Sequence, residues 1–351
     1  MIRGVQYLRG IAALMVVMFH ADGAFLAEKY WHVDIAGGWL LPAGGAGVYL
    51  FFALSGFVIA NAHLDDVGAP RQLSRYIYRR FARIYPIYWI VSLTVLAVGL
   101  VFPSFYDEKL ASPLYIVGLL TLIPLDGPRG NLAVTWTLFY EVLFYCIFAL
   151  LIASRRVGIT ALAAWGLLCA GSLALDFQLG ILTSHFNLIF LAGLAMACVY
   201  RQGPVHRMIL IVGLVVCLAA FAITWVLARQ AGSITPAQSL SLGIFGAVFV
   251  WALAELERSW GGLNLRLLGL IGDASYSIYL THYLAISVCA KLLNRFPTGF
   301  HPAFDFLLVV ASGVASGIMV FIFIERPMLR YARGRGSKQT ALTREARAVS
   351  R

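Results

Sequence analysis

Met208-Ile209-Leu210-Ile211-Val212-Gly213-Leu214-Val215-Val216-Cys217-Leu218-Ala219-Ala220-Phe221-Ala222-Ile223-Thr224-Trp225-Val226-Leu227-Ala228 is an unbroken uncharged run between Arg207 and Arg229. A helix of that length rises about 30 Å, the hydrocarbon thickness of a bilayer. Nine more blocks of comparable length lie roughly at 5–21, 42–62, 84–102, 133–153, 157–175, 180–200, 238–256, 269–290 and 303–324. Of the 351 residues, 61% are hydrophobic and only 12% charged. A soluble domain carries about 25% charged residues. The pattern predicts an all-α polytopic integral membrane protein with about ten transmembrane helices.

Working outward, the ends of the blocks give the topology. The first block contains Arg9 and is followed by no small-x-small cleavage site, so it reads as a retained span rather than a signal peptide. An eleventh block, 112–124, is shorter and bounded by Pro113 and Pro124. If it does not cross and the N-terminus is cytoplasmic, 20 of the 27 Lys and Arg fall on cytoplasmic segments and 6 on outer ones, with Arg9 inside a span. That split obeys the positive-inside rule, whereas a crossing would turn the basic tail outward. The segment therefore reads as interfacial or re-entrant on the outer face, and both termini as cytoplasmic. The net charge of +11 is then a topology signal and not a nucleic-acid footprint. Residues 1–327 form the expected transmembrane domain, and 328–351 a basic cytoplasmic tail without apolar period, expected to be disordered. Cys146, Cys169, Cys198, Cys217 and Cys289 all sit in apolar blocks without a C-x-x-C pair and read as core or lipid-facing thiols. No internal repeat is visible, which weighs against transporter folds built from duplicated halves.

Charged groups inside a span are expensive and mark functional candidates. The first pair is Arg9 and His20. Eleven steps of about 100° end roughly 20° past three turns, so both side chains lie on one helix face about 16 Å apart. A permanent cation and a titratable base at two levels suit an anionic donor and a proton-abstracting group; snorkelling of Arg9 and capping by His20 is the other reading. Glu141, in the fourth block, needs a partner such as His20 or Arg9, and a structural interhelix hydrogen bond is its alternative. Arg80 and Arg83, at the cytoplasmic start of the third block, share a helix face and suit phosphates; they also fit a plain topology anchor. Ser275, Tyr279 and His282 recur at three- and four-residue steps, as a ligand-lining or a helix-packing face, with Asp273 or Ser275 placed to cap the helix. Ser55 and Gly56 read as close packing. The chain has no G-x-S-x-G elbow, no phosphate loop and no H-x-x-x-H pair. His32, His63, His185, His206 and His301 are scattered, and no structural metal is expected.

From Gln6 to about Pro327 these segments together resemble the membrane-bound acyltransferase family 3, particularly its exopolysaccharide and surface-polysaccharide acetyltransferase members. The Arg9–His20 spacing is similar to the family hallmark, and Arg80-x-x-Arg83 to its second arginine motif. Trp136-Thr137-Leu138 leading to Glu141 is similar to the acidic motif. Ser275-Tyr276-Ser277-Ile278-Tyr279-Leu280-Thr281-His282 and Glu325-Arg326-Pro327 are similar to the late motifs. Many members have aspartate where this chain has Tyr49, which is given no role. The resemblance implies an acyl-coenzyme A donor inside, an acceptor sugar outside and ten spans, the last agreeing with the charge count.

The resulting expectation is an enzyme of the plasma (bacterial inner) membrane that moves an acyl group, acetyl first, from acyl-CoA to a hydroxyl of an exported or lipid-linked carbohydrate. Arg80 and Arg83 are expected on the donor phosphates and Arg9 nearer the thioester. His20 is the expected general base or transient acyl carrier, with Glu141 orienting it. Trp136, Ser275, Tyr279 and His282 are the expected substrate-lining residues. Partners are the bilayer, the carbohydrate acceptor and polysaccharide-synthesis machinery. The rivals are a polysaccharide transporter or exporter and a non-catalytic scaffold; consumption of a thioester by the pure protein separates the enzyme from both.

Overall fold

The computed structural model describes residues 2–28, 30–35, 41–101, 112–125, 132, 134–261 and 264–332. Among these there is no strand. The long helices are α1 (Arg3–Leu26), α2 (Leu41–His63), α3 (Leu73–Val101), α5 (Thr135–Ala153), α6 (Arg155–Leu175), α7 (Phe186–Arg201), α8 (Arg207–Ala231), α9 (Pro236–Trp260), α11 (Ser275–Arg295) and α12 (Pro302–Val320). Two short ones, α4 (Pro113–Thr121) and α10 (Arg266–Asp273), complete the set. The chain is a multi-pass membrane protein. Among the described residues nine helices are long and apolar enough to cross a bilayer; α11 is not among them. It has 21 residues, the length of a span, but Ser275, Ser277, Tyr276, Tyr279, Thr281 and His282 make it too polar. All six are buried, so this polarity faces protein and not lipid. With α11 the bundle has ten helices of spanning length.

α2 is the hub, packing on α1, α7 and α9. Close approach is set by glycine. A Cβ on Gly56 would sit 2.1 Å from the Phe190 carbonyl oxygen, and one on Gly193 would sit 2.1 Å from that of Ala53. With no water to squeeze out, helices in lipid associate by such small-residue contacts. The reading of Gly56 as a packing residue agrees. α8 stands at the periphery, its Met208, Ile209, Val212, Val215, Val216 and Ile223 exposed where lipid would lie.

The 112–124 segment holds one short helix against α3. α4 has nine residues, too few to cross. Its last turn leans on the middle of α3. Tyr85 Oη donates to the Thr121 carbonyl (2.8 Å), Tyr88 Oη to that of Leu119 (2.9 Å) and Trp89 Nε1 to that of Leu120 (2.9 Å). A helix end leaves its last carbonyls unpaired, and in an apolar surround that is costly. Three α3 side chains supply the donors, while Leu122, in the left-handed region at φ 57°, turns the chain back.

Two boundaries differ from the sequence reading. α3 starts at Leu73, not near 84, so Arg75, Arg79, Arg80 and Arg83 all ride on the helix itself. The last helix runs on to Ala332, past the expected boundary at 327. Residues 103–111, 126–131 and 333–351 lie outside the described residues. The expected cap at α11 is also absent: neither Asp273 nor Ser275 caps it, and the Asp273 carboxylate instead accepts a hydrogen bond from Gln6 Nε2 on α1. A partner across the helix pair outcompetes the local cap.

Gly56→Ala is expected to force α2 and α7 apart and cost about 1–3 kcal/mol, as overpacking does. Gly213→Ala, with nothing within 4 Å, is expected to leave the melting point in detergent unchanged or raised. Thermal unfolding of the two variants side by side checks the difference.

Candidate active site

A cavity of about 590 Å³ opens at the end of the bundle where α1 and α3 begin, beside Leu329 and Ala332 of the last helix. Its mouth is formed by Arg75, Tyr78, Arg79, Arg80, Leu329 and Ala332, and its inner wall by Arg9, Ser55, Arg83, Thr137, Glu141 and Tyr279, among others. Arg75, Arg79 and Arg83 recur every fourth residue and so share a face of α3. Like charges at that spacing repel, which makes the stripe an unfavourable arrangement until an anion lies against it.

Glu325 supplies one such anion. It forms an ion pair with Arg83 and is 2% exposed. Ser277 Oγ donates to its other oxygen at 2.5 Å, so both carboxylate oxygens are engaged. Arg83 also lies over the Tyr276 ring, 5.4 Å from its centre. Glu325 ends a π-helical turn, Phe321–Glu325, of the wide kind often found at functional sites.

The other arginines differ. Among the described residues neither Arg9 nor Arg80 forms an ion pair. Arg80 stands 5.9 Å from the Tyr76 ring centre and 5.7 Å from that of Tyr145, with its Nε buried and without a partner. Glu141 accepts from Tyr145 Oη at 2.5 Å and Ser55 Oγ at 3.3 Å.

Beyond the cavity the polar face of α11 leads to His20. Tyr279 Oη donates to Thr137 Oγ1 (2.9 Å), whose own proton goes to the Val134 carbonyl (2.9 Å). The Tyr279 and His282 rings are 6.0 Å apart. His282 Nε2 lies 3.2 Å from His20 Nδ1.

Six of the nine expected site residues therefore line the cavity: Arg9, Arg80, Arg83, Glu141, Ser275 and Tyr279. His20 and His282 form a pair just past Tyr279. Trp136 is elsewhere, packed among Phe52, Tyr140 and Phe186, and does not line the cavity. Glu141 does not meet His20; it belongs to the level of Arg9, three turns away along α1, and the partner of His20 is His282. Arg83 is engaged by a carboxylate, Glu325, 242 residues away in the chain. Sequence reasoning missed Tyr145, one turn after Glu141 on the same face, and gave Glu325 no role. Tyr49 is buried and stacked on Phe186. Among the described residues no three His, Cys, Asp or Glu side chains gather as a metal site.

The sequence pattern described as the acyltransferase domain matches residues 2–326. The chain belongs to the membrane-bound acyltransferase family 3. This acyltransferase is 32% identical to the exopolysaccharide production protein ExoZ of Rhizobium meliloti over 336 residues, 93% of this chain and 98% of that one. It is 25% identical to the acyltransferase MdmB of Streptomyces mycarofaciens, covering 92% and 90% of the two chains. It is 23% identical to the peptidoglycan O-acetyltransferase OatA of Listeria monocytogenes, covering 92% of this chain and 55% of that one. No solved structure matches the acyltransferase.

Breaking a buried ion pair from one side costs about 3–5 kcal/mol, and less where one partner keeps some water. Arg83 is 23% exposed, which puts Glu325→Ala at the lower end of that range. The double variant Arg83→Met with Glu325→Ala is expected to recover much of the loss. A double-mutant cycle on unfolding in detergent measures it, and a coupling energy near zero would contradict the pairing.

Proposed function

We propose that the protein moves an acyl group, acetyl first, from cytoplasmic acyl-CoA to a hydroxyl of an exported or lipid-linked carbohydrate. The observation that carries this reading is an ordering from the cavity into the bundle: Arg80 at the mouth and Arg9 on the inner wall, neither in an ion pair among the described residues, then the polar face of α11 leading past the cavity to an imidazole. The relatives named for exopolysaccharide production and peptidoglycan O-acetylation support the acceptor class. The charge split supports an orientation with both termini in the cytoplasm, and the bacterial relatives support the plasma membrane as its place.

On this reading Arg80, with Arg75 beside it, takes the donor phosphates, and Arg9 stands at the inner end of the cavity. Arg83, engaged by Glu325, holds the wall and does not bind phosphate directly. The pantetheine arm runs past Tyr279 toward His20. His20 Nε2 takes the proton of the acceptor hydroxyl as its oxygen attacks the thioester carbon. The new C–O bond forms, the C–S bond breaks, and the proton passes to the departing thiolate. Glu141, held by Tyr145 and Ser55, balances Arg9 across the cavity.

Arg80→Ala is expected to raise the KM for acetyl-CoA by roughly ten- to a hundredfold, the size of one charge-assisted contact, with kcat little changed. Arg80→Lys recovers only part, since it lacks the fork. His20→Ala is expected to lower kcat by about 10²–10⁴-fold without loss of insertion. Free-thiol release from acetyl-CoA by the full chain in nanodiscs reads both. Normal turnover by His20→Ala would end the reading. For topology, a cysteine at Arg71 is expected to be labelled only from the cytoplasmic side and one at Leu114 only from outside; the reverse pattern sinks the orientation.

A further inference from the structure

We propose that His282 is a positioning residue for His20: the two imidazoles form a dyad in which His20 Nδ1–H is held by Val16 and His282, leaving His20 Nε2 as the proton acceptor. The inference rests on the reading of His20 as the base.

The protonation pattern follows from which atoms can only accept. His282 Nδ1 lies 3.0 Å from the Ile278 carbonyl oxygen of its own helix. A carbonyl accepts and never donates, so the proton is on His282 Nδ1. In the neutral ring this makes His282 Nε2 a lone pair. It faces His20 Nδ1 at 3.2 Å, and His20 Nδ1 lies 2.9 Å from the Val16 carbonyl oxygen. Both neighbours of His20 Nδ1 are acceptors, so that nitrogen carries its hydrogen and shares it between them. His20 Nε2 is left as the basic nitrogen, and among the described residues it has no hydrogen-bond partner.

The surroundings hold this arrangement. His282 is completely buried, and Gly313 of α12 lies behind it, where a Cβ would come within 3.4 Å of the His282 Cβ. Phe19 and Tyr283 meet the His20 ring edge-on, at 5.1 and 5.6 Å between centres. No carboxylate bonds to either ring among the described residues. The orienting partner is thus a neutral imidazole in the place where many general bases have an acid. When His20 takes up the hydroxyl proton, the bond from Nδ1 to His282 becomes charge-assisted and strengthens. A neutral partner stabilises the imidazolium less than a carboxylate would, so the proton is readily passed on to the thiolate.

Two amides divide the functions of the His282 ring. Glutamine places an acceptor oxygen where Nε2 was; asparagine reaches only the position of Nδ1. Measured as free thiol released from acetyl-CoA by the full chain in nanodiscs, His282→Asn and His282→Leu are expected to lower kcat roughly ten- to a hundredfold, the effect of one charge-assisted hydrogen bond. His282→Gln is expected to restore most of it, with the KM for acetyl-CoA unchanged throughout. Equal loss in Gln and Asn overturns the dyad, because the imidazole itself is then required. Wild-type turnover in His282→Leu, with His20→Ala inactive, overturns the dyad and leaves the base in place. Full activity in His20→Ala removes the underlying reading instead.

Discussion

A guanidinium set into a helix bundle in lipid is costly, and the cost falls where the chain supplies it an anion. Arg83 finds Glu325, and the consequences run through the structure. The pair ties α3 to the last helix, and Ser277 ties both to α11. It also splits the arginine stripe by function. One arm is neutralised and becomes wall, while Arg75 and Arg80 remain beside the mouth as positive charge. A cavity needs this division, because a site made wholly of unmatched cations would repel itself and one made wholly of matched pairs would attract nothing.

α11 carries the same logic further. Exposed to lipid, its serines, tyrosines, threonine and histidine would each be a penalty. Between α1, α3 and α12 they are instead the material of the site. Tyr276 Oη bonds the Ile84 carbonyl, Ser277 bonds Glu325, Tyr279 bonds Thr137 and His282 bonds His20. The close seat of α12 on α11 depends on Gly317, where a Cβ would lie 2.3 Å from the Ile278 Cα. Packing and chemistry are thus not separable on this helix.

The sequence was legible where a property is local. Apolar length marks spans, which is why ten blocks were read, nine of them matching helices apolar enough to cross among the described residues; arginine placement kept α4 from being taken as a crossing. Helical phase put Arg9 and His20 on one face and Ser275, Tyr279 and His282 on another. What remained hidden were the pairings. Arg83 and Glu325 are 242 residues apart, and His20 and His282 are 262 apart. Which of two polar faces meet depends on how helices rotate against each other, and glycine contacts decide that. Hence Glu141, read with His20 or Arg9 as its partner, meets Tyr145 and Ser55, and Trp136, read as a substrate contact, packs with Phe52 and Phe186.

The interval between Arg9 and His20 explains why one helix carries both. It contains Ala12, Ala13, Val16 and Val17, all at most 1% exposed, and no charged or polar side chain. An anion drawn in by the arginines meets its last cation on α1 at Arg9 and gains nothing by going deeper. A thin, neutral arm bearing a thioester meets no such barrier. On the proposed reading the spacing of about 16 Å would act as a filter, with charge stopping at one level and the reactive carbonyl going on to the next. It also separates the guanidinium from the base, so that the permanent positive charge does not disfavour the transient one on His20. A shorter spacing would weaken both effects, since Coulomb repulsion rises as the distance falls and the apolar interval has less length in which to exclude phosphate.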